Sequence, residues 1–288
     1  GAASAPAAST APGGGAGEAA RDGGTLRLPG ESPLTLDPAL VGDVTSAEYI
    51  YEVFSGLVTL SPELEVVPDL AEDWDQSADG TVFTFTLRSD AVFHDGTPVT
   101  PEDVAFAIER ACDPATGSTV AETYLGDVVG CVDKLAGRTT SVAGARVLDP
   151  RRLELTIDAP KAYFLPKLTY PTSFVVDRRQ VATDPRWLDA PNGTGPFRLT
   201  EYVEGETLTL DRADAHAGAG GAAHLDAVVY DLRPIDPLTR YENGELDATP
   251  VGGADVERVR DPLGHLASEV VEGSGDLGLS YIGFNVTV

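Results

Sequence analysis

His94 and Asp95, with Asp90 just upstream, are where this 288-residue chain first invites a chemical reading. A histidine among carboxylates can relay protons, and beside a nucleophile it can activate one. Here the pair falls in the turn Asp95-Gly96-Thr97-Pro98, and no G-x-S-x-G nucleophile turn occurs in the chain. His94 therefore reads as a turn-stabilising residue. The acid pairs Glu72-Asp73 and Glu102-Asp103 read as surface and helix-start charges, because no spaced series of calcium ligands surrounds them. His94, His216, His224 and His265 show no metal-ligand spacing, so neither a metal nor a cofactor is expected. Gly193-Thr194-Gly195 could be mistaken for a phosphate loop, but it lacks the third glycine and the Gly-Lys-Ser/Thr of such loops. It reads as a backbone turn whose exit Pro196 fixes. No catalytic constellation results, and the chain is expected not to be an enzyme.

Several elements must position these residues. Phe83, Phe85 and Leu87 alternate with Thr84, Thr86 and Arg88, the period of a half-buried strand over 81–88. Thr100 caps a helix that opens on Pro101, with Glu102 and Asp103 where the helix dipole favours negative charge. Strands are expected at Thr25–Leu28, Leu34–Leu36, Arg152–Ile157, Ser173–Val176, Ala227–Leu232 and Leu277–Val288. Phe197–Tyr202 and Thr207–Asp211 read as a hairpin across Glu204-Gly205. A helix is expected from about Ser46 with Gly56 as its stop, and shorter ones at Asp236–Asn243 and Asp255–Arg260. Residues 61–190 read as a self-contained α+β stretch, and the region from 225 onward as an α/β lobe with a mixed sheet.

Composition narrows the partners. The net charge is −26, which excludes nucleic acid as a partner class, since phosphate contacts need clustered Lys and Arg. No run of about 18 apolar residues is present to span a bilayer. The chain has no methionine, so a processed or truncated chain is expected. Residues 1–22 are rich in Ala, Gly, Ser and Pro and read as a disordered tether, with a cloning remnant or unrelated linker as the alternative. Cys112 and Cys131 are the only cysteines, either a disulfide or two buried thiols.

A series of short blocks occurs in order along the chain: Leu36-Asp37-Pro38, Tyr51–Val58, Val67–Trp74, the stretch 81–104, Gly193–Phe197, Asn243–Asp247 and Gly283-Phe284-Asn285. Over residues 24–286 this series resembles the extracytoplasmic solute-binding proteins of ABC importers, the peptide- and nickel-binding family. The resemblance implies a lobe of the periplasmic-binding-protein type with a mixed sheet, formed by 23–60 and 191–288, and a smaller α+β domain, 61–190, inserted into it. It implies that Gly193–Phe197 marks the crossover between the two. It also implies that the second lobe, which closes over the ligand, lies beyond Val288.

By the same resemblance, ligand contacts come from Gly42, Asp43, Val44 and Thr45, from the segment holding Val251 and Gly252, and from Tyr281. Small residues there would let a solute approach the main chain. An extracytoplasmic setting makes the even cysteine count read as a Cys112–Cys131 disulfide, stabilising by about 3 kcal/mol. The function implied is capture of a peptide or other small solute for an ABC permease, on a chain tethered to the membrane by a lipid anchor upstream of residue 1. The alternative is a truncated lobe serving as a cell-surface interaction or sensing module.

Overall fold

A computed structural model of the chain describes residues 22–272, except 215, 217, 219 and 220. The tether up to residue 21 and the strand expected at Leu277–Val288 lie outside the described residues. The strands are β1 (Thr25–Pro29), β2 (Val58–Leu60), β3 (Val66–Pro68), β4 (Ala71–Gln76), β5 (Val82–Leu87), β6 (Ala145–Asp149), β7 (Arg152–Thr156), β8 (Phe197–Val203), β9 (Thr207–Arg212) and β10 (Ala227–Asp231). The helices are α1 (Val44–Val53), α2 (Pro101–Ala111), α3 (Ala121–Leu125), α4 (Cys131–Leu135), α5 (Phe164–Lys167), α6 (Arg178–Thr183), α7 (Pro237–Glu242) and α8 (Val256–Val259).

One sheet runs β1-β10-β9-β8. β1 pairs with β10 in parallel and the remaining pairs are antiparallel, so the sheet is mixed. Its chain is discontinuous, because β1 comes from the start and the other strands follow Phe197. Leu199, Leu208, Leu210, Val228 and Tyr230 turn to one face and meet Tyr49, Ile50 and Val53 of α1 and Phe54 just past its end. Gly205, at φ +70°, makes the hairpin between β8 and β9.

The second sheet runs β4-β5-β7-β6 and is antiparallel throughout. In β5 the buried residues are Phe83, Phe85 and Leu87 and the half-buried ones Val82, Thr84 and Thr86, as the alternation predicts. With Leu153, Leu155, Phe93, Phe164 and the Val104 and Ile108 side of α2 they form a separate core. α2 begins at Pro101, and the Asp103 carboxylate accepts from the Thr100 amide at 2.9 Å and from its hydroxyl at 2.7 Å. Cys112 and Cys131 form a disulfide that ties the end of α2 to α4. Ala107 of α2 belongs to the first core instead, so this helix is packed from both sides.

Three expectations change. Leu34–Leu36 is not a strand, because the amides of Leu34 and Thr35 donate to the Ser46 hydroxyl at 2.9 and 3.3 Å. Ser173–Val176 is not a strand either: a 3-10 turn over Pro171–Ser173 leads into an extended segment with the Val175 amide on the Ser55 carbonyl. α1 starts at Val44 and stops at Val53, where Phe54 is already extended. Gly56 serves another end, since a Cβ there would stand 2.9 Å from the Phe174 ring.

Candidate solute-contacting site

The segment Gly42–Thr45 is positioned from both sides. Upstream, buried Asp37 takes two hydrogen bonds from the Arg110 guanidinium of α2, one at 2.8 Å, and accepts the Ala39 amide at 3.0 Å. Such charge-assisted, two-pronged pairing fixes geometry as well as adding energy. Downstream, the Asp43 carboxylate accepts the Ser46 amide at 2.8 Å and is the N-cap of α1. Its charge is thus already engaged by the helix start. Gly42 is exposed and Val44 is 85 % exposed, so main chain and one apolar side chain are on offer here.

Beside this segment stands a group of tyrosines that the sequence did not single out. Tyr124 of α3 and Tyr170 stack with centroids 3.7 Å apart and planes within 2°. The Tyr170 hydroxyl donates to the Val41 carbonyl at 3.4 Å. Tyr51 of α1 packs edge-on against Phe174 at 5.4 Å and donates to the Thr169 carbonyl at 3.3 Å. Burial pushes the Tyr170 phenol up to about 12, with smaller contributions from Tyr124, Tyr51 and Asp43. It stays protonated and remains a donor at any physiological pH. Tyr51 sits inside a sequence block that drew notice, but the meeting of Tyr124 with Tyr170 is tertiary and left no local pattern.

Val251 and Gly252 lie elsewhere. Val251 lines a cavity of about 600 Å³ with Leu238, Val256, Val259, Leu266 and Val270. Gly252 and Gly253 are exposed, with nothing within 4 Å of where a Cβ would stand. The preceding Asn243–Asp247 block extends the edge of β1: the Asp247 amide donates to the Arg27 carbonyl at 2.9 Å, and its carboxylate takes the Arg27 amide at 2.7 Å. Among the described residues no hydrogen bond or ion pair joins 42–45 to 250–253. Tyr281 lies outside the described residues.

His94 and the glycine turn prove to be one structure. The His94 amide donates to the Gly193 carbonyl at 2.9 Å, and its Nε2 lies 3.0 Å from the Gly195 carbonyl. The Asp95 amide donates to Asn192 Oδ1 at 3.0 Å, and Asn192 Nδ2 donates to Asp177 at 2.8 Å. On the other side the amides of Thr194 and Gly195 donate to the Val53 carbonyl. A Cβ on Gly193 or Gly195 would overlap the Val53 or Glu52 carbonyl, which explains the glycines. His94 holds the crossing between the two cores, a wider role than stabilising its own turn.

An exposed main-chain segment next to flat aromatic faces can hydrogen-bond and stack. It offers no nucleophile beside a base. Among the described residues no group of three His, Cys, Asp or Glu could hold a metal ion, and no helix is long and apolar enough to cross a membrane.

Comparisons with known proteins give the family and the fold. The family described as bacterial extracellular solute-binding proteins, family 5 (middle), matches residues 65–288. The dipeptide-binding protein DppE of Bacillus subtilis is 30 % identical over 228 residues, covering 76 % of this chain and 41 % of that protein. The crystal structure of a periplasmic oligopeptide-binding protein (OppAIV) from Borrelia burgdorferi aligns with a TM-score of 0.75 at 29 % identity, covering 82 % of this chain and 49 % of that one. The murein tripeptide-binding protein MppA of Escherichia coli aligns with a TM-score of 0.78 at 26 % identity, covering 86 % of this chain and 49 % of that one. The chain thus spans less than half the length of these relatives.

Proposed function

Because the chain belongs to family 5 of the bacterial extracellular solute-binding proteins, we propose that it carries one wall of the solute site of an ABC importer's binding component, with peptides as the solute class. The observation that carries this reading is the tyrosine group standing against the exposed main chain of Gly42–Thr45. A peptide laid there would exchange main-chain hydrogen bonds with Gly42–Thr45 and set a side chain on the Tyr124–Tyr170 faces. Val251, Gly252 and Tyr281 are proposed as a second group of contacts, and relatives named for dipeptides and oligopeptides support the choice of solute.

The division of labour follows. Residues 23–60 with 191–288 form one lobe and 61–190 the inserted domain. Hinge closure against a further lobe would bury the solute for delivery to a permease. Residues 1–22 would tether this assembly to a lipid anchor on the outer side of the cytoplasmic membrane. No catalysis is proposed.

Calorimetric titration of the 288-residue chain with a pool of short peptides tests the reading. Weak binding that Tyr124→Ala and Tyr170→Ala reduce further is the expected result. Sub-micromolar binding by this chain would overturn the single-wall reading, and binding indifferent to both tyrosine variants would remove the tyrosine face from the site.

A further inference from the structure

α1 carries an acidic pair that no cation of the described chain answers. Glu48 and Glu52 stand one helical turn apart, and like charges at that spacing repel. Neither carboxylate makes a hydrogen bond or an ion pair among the described residues. Glu52 is half-buried; burial, then the charge of Glu48, raises its pKa, and no neighbouring cation works the other way. The sheet side of the pair is closed by Tyr230 of β10, which is 5 % exposed and meets the Tyr49 ring edge-on at 4.8 Å. The Tyr49 hydroxyl is in use, donating to the Glu31 carbonyl at 2.8 Å. The Tyr230 hydroxyl makes no hydrogen bond among the described residues, and burial, then the charges of Glu48 and Glu52, push its pKa up. A buried hydroxyl without a partner, beside two carboxylates without a counter-charge, is costly unless something completes it.

The helix places this group beside the solute-contacting segment. At about 100° per residue, Val44, Glu48, Tyr51 and Glu52 share the outward side of α1. Tyr51 leans toward the tyrosine group through the Thr169 carbonyl, while Glu52 lies on the opposite flank with Tyr230. A solute resting on Gly42–Thr45 thus has aromatic faces on one side of α1 and the acid pair on the other. We propose that Glu48, Glu52 and the Tyr230 hydroxyl form a subsite for an ammonium group of the bound peptide, from a lysine-type side chain or from the free N-terminus. An ammonium has three donors and no acceptor, which matches two carboxylates and one hydroxyl oxygen, and its charge removes the repulsion between the two acids. The inference rests on the peptide reading of the Gly42–Thr45 face and adds a preference for cationic peptides to it.

Short peptides differing only in cationic groups test it, titrated calorimetrically into the 288-residue chain. One pair is blocked at both ends and carries lysine or norleucine at the same place; a second pair carries norleucine with the N-terminus free or acetylated. The cationic member of at least one pair should bind about fivefold tighter, as a partly buried charge pair gives, and the pair that shows the gain identifies the source of the ammonium. Glu48→Gln and Glu52→Gln should each bring that ratio close to one, and Tyr230→Phe should lower it by a smaller factor. Glu63→Gln, on the exposed turn between β2 and β3, reduces the net charge equally and should keep the ratio, which separates the subsite from attraction by the whole acidic chain. Thermal melting shows which variants are folded, and either glutamine variant alone carries the comparison if the other is not. Neutral peptides that bind as well as their cationic partners, or a ratio that survives both glutamine variants, overturn the subsite and leave the peptide reading standing. Absence of binding by every peptide overturns the peptide reading and the subsite with it.

Discussion

The region around β5 and the region after β10 are built in opposite ways. Around β5 the strands bury one face in a large core, α2 is capped at its start, a disulfide ties its end, and Asp127 is held by both Lys161 and Lys167 at 2.6 and 2.7 Å. After β10, among the described residues, the helices are short, Leu238, Val259 and Leu266 form a small buried cluster, and a cavity of about 600 Å³ opens between them. Packing is densest around the elements that carry Tyr124 and Tyr170, while Val251 and Gly252, proposed as further contacts, sit on the more sparsely packed part. A wall that must present a fixed aromatic face needs the first construction. One that accommodates different solutes can use the second.

The sharpest way to break this contrast is to cut each core in turn. Phe85→Ala should cost about 3–5 kcal/mol, as large-to-small changes in a closed core do, whereas Leu266→Ala in the small cluster should cost about 2 kcal/mol. Urea unfolding of both variants reads the difference, and equal losses would erase the distinction between the regions. Next in size is the disulfide. Replacing Cys112 and Cys131 together by Ala should lower stability by about 3 kcal/mol through the freed loop. That loss should show in the unfolding of the β5 region, read by amide exchange, while the residues after β10 exchange as before.

A smaller effect is expected at the seam. Gly195→Ala forces a Cβ onto the Glu52 carbonyl, and an overpacking of this kind costs about 1–3 kcal/mol. The same change at Gly253, which faces open space, should stay within about 0.5 kcal/mol. A Gly195→Ala variant as stable as the parent would mean that the crossing is not packed as tightly as the hydrogen bonds of Thr194 and Gly195 to Val53 indicate.

Legibility followed the range of the interaction. β5 and α2 were readable because alternation and capping are local: the period of Phe83, Phe85 and Leu87 and the Thr100–Asp103 start are complete within a few residues. The hairpin of β8 and β9 was readable for the same reason. Leu34–Leu36 misled because its amides are satisfied by Ser46, a partner no local pattern announces. The extended run after Ser173 misled because a single amide, that of Val175, pairs with Ser55 without forming a ladder. Of the proposed site, Gly42–Thr45 is named by family resemblance, whereas nothing in the sequence names Tyr124 and Tyr170. Their stacking exists only once α3 and the chain before Pro171 are folded together.

The smallest effect comes from protons, and it bears directly on the seam between the two cores. His94 is largely buried, and burial is the main cause lowering its pKa; the Gly195 carbonyl and Asp95 work the other way, while Arg198 and His216 reinforce the lowering. With Nε2 donating to Gly195, the bare nitrogen is Nδ1, which is buried without a partner, so a second proton there would have no acceptor. A histidine whose folded pKa lies below its unfolded value of about 6.5 contributes stability above that pH and loses it as pH falls through the folded pKa. Glu52 runs opposite. Burial, then the neighbouring charge of Glu48, raises its pKa, so its contribution is present below about 4.3 and is lost as pH rises through the folded value. Between these limits the two groups oppose each other. His94→Gln should flatten the acid-side loss, and Glu52→Gln should remove the loss on the alkaline side, each by about 1 kcal/mol or less. Urea midpoints at pH 5, 6 and 7 separate them. If His94→Gln keeps the parent's slope, the histidine is not what makes the seam sensitive to acid, and the hydrogen bonds of Asn192 with Asp95 and Asp177 must hold the crossing without it.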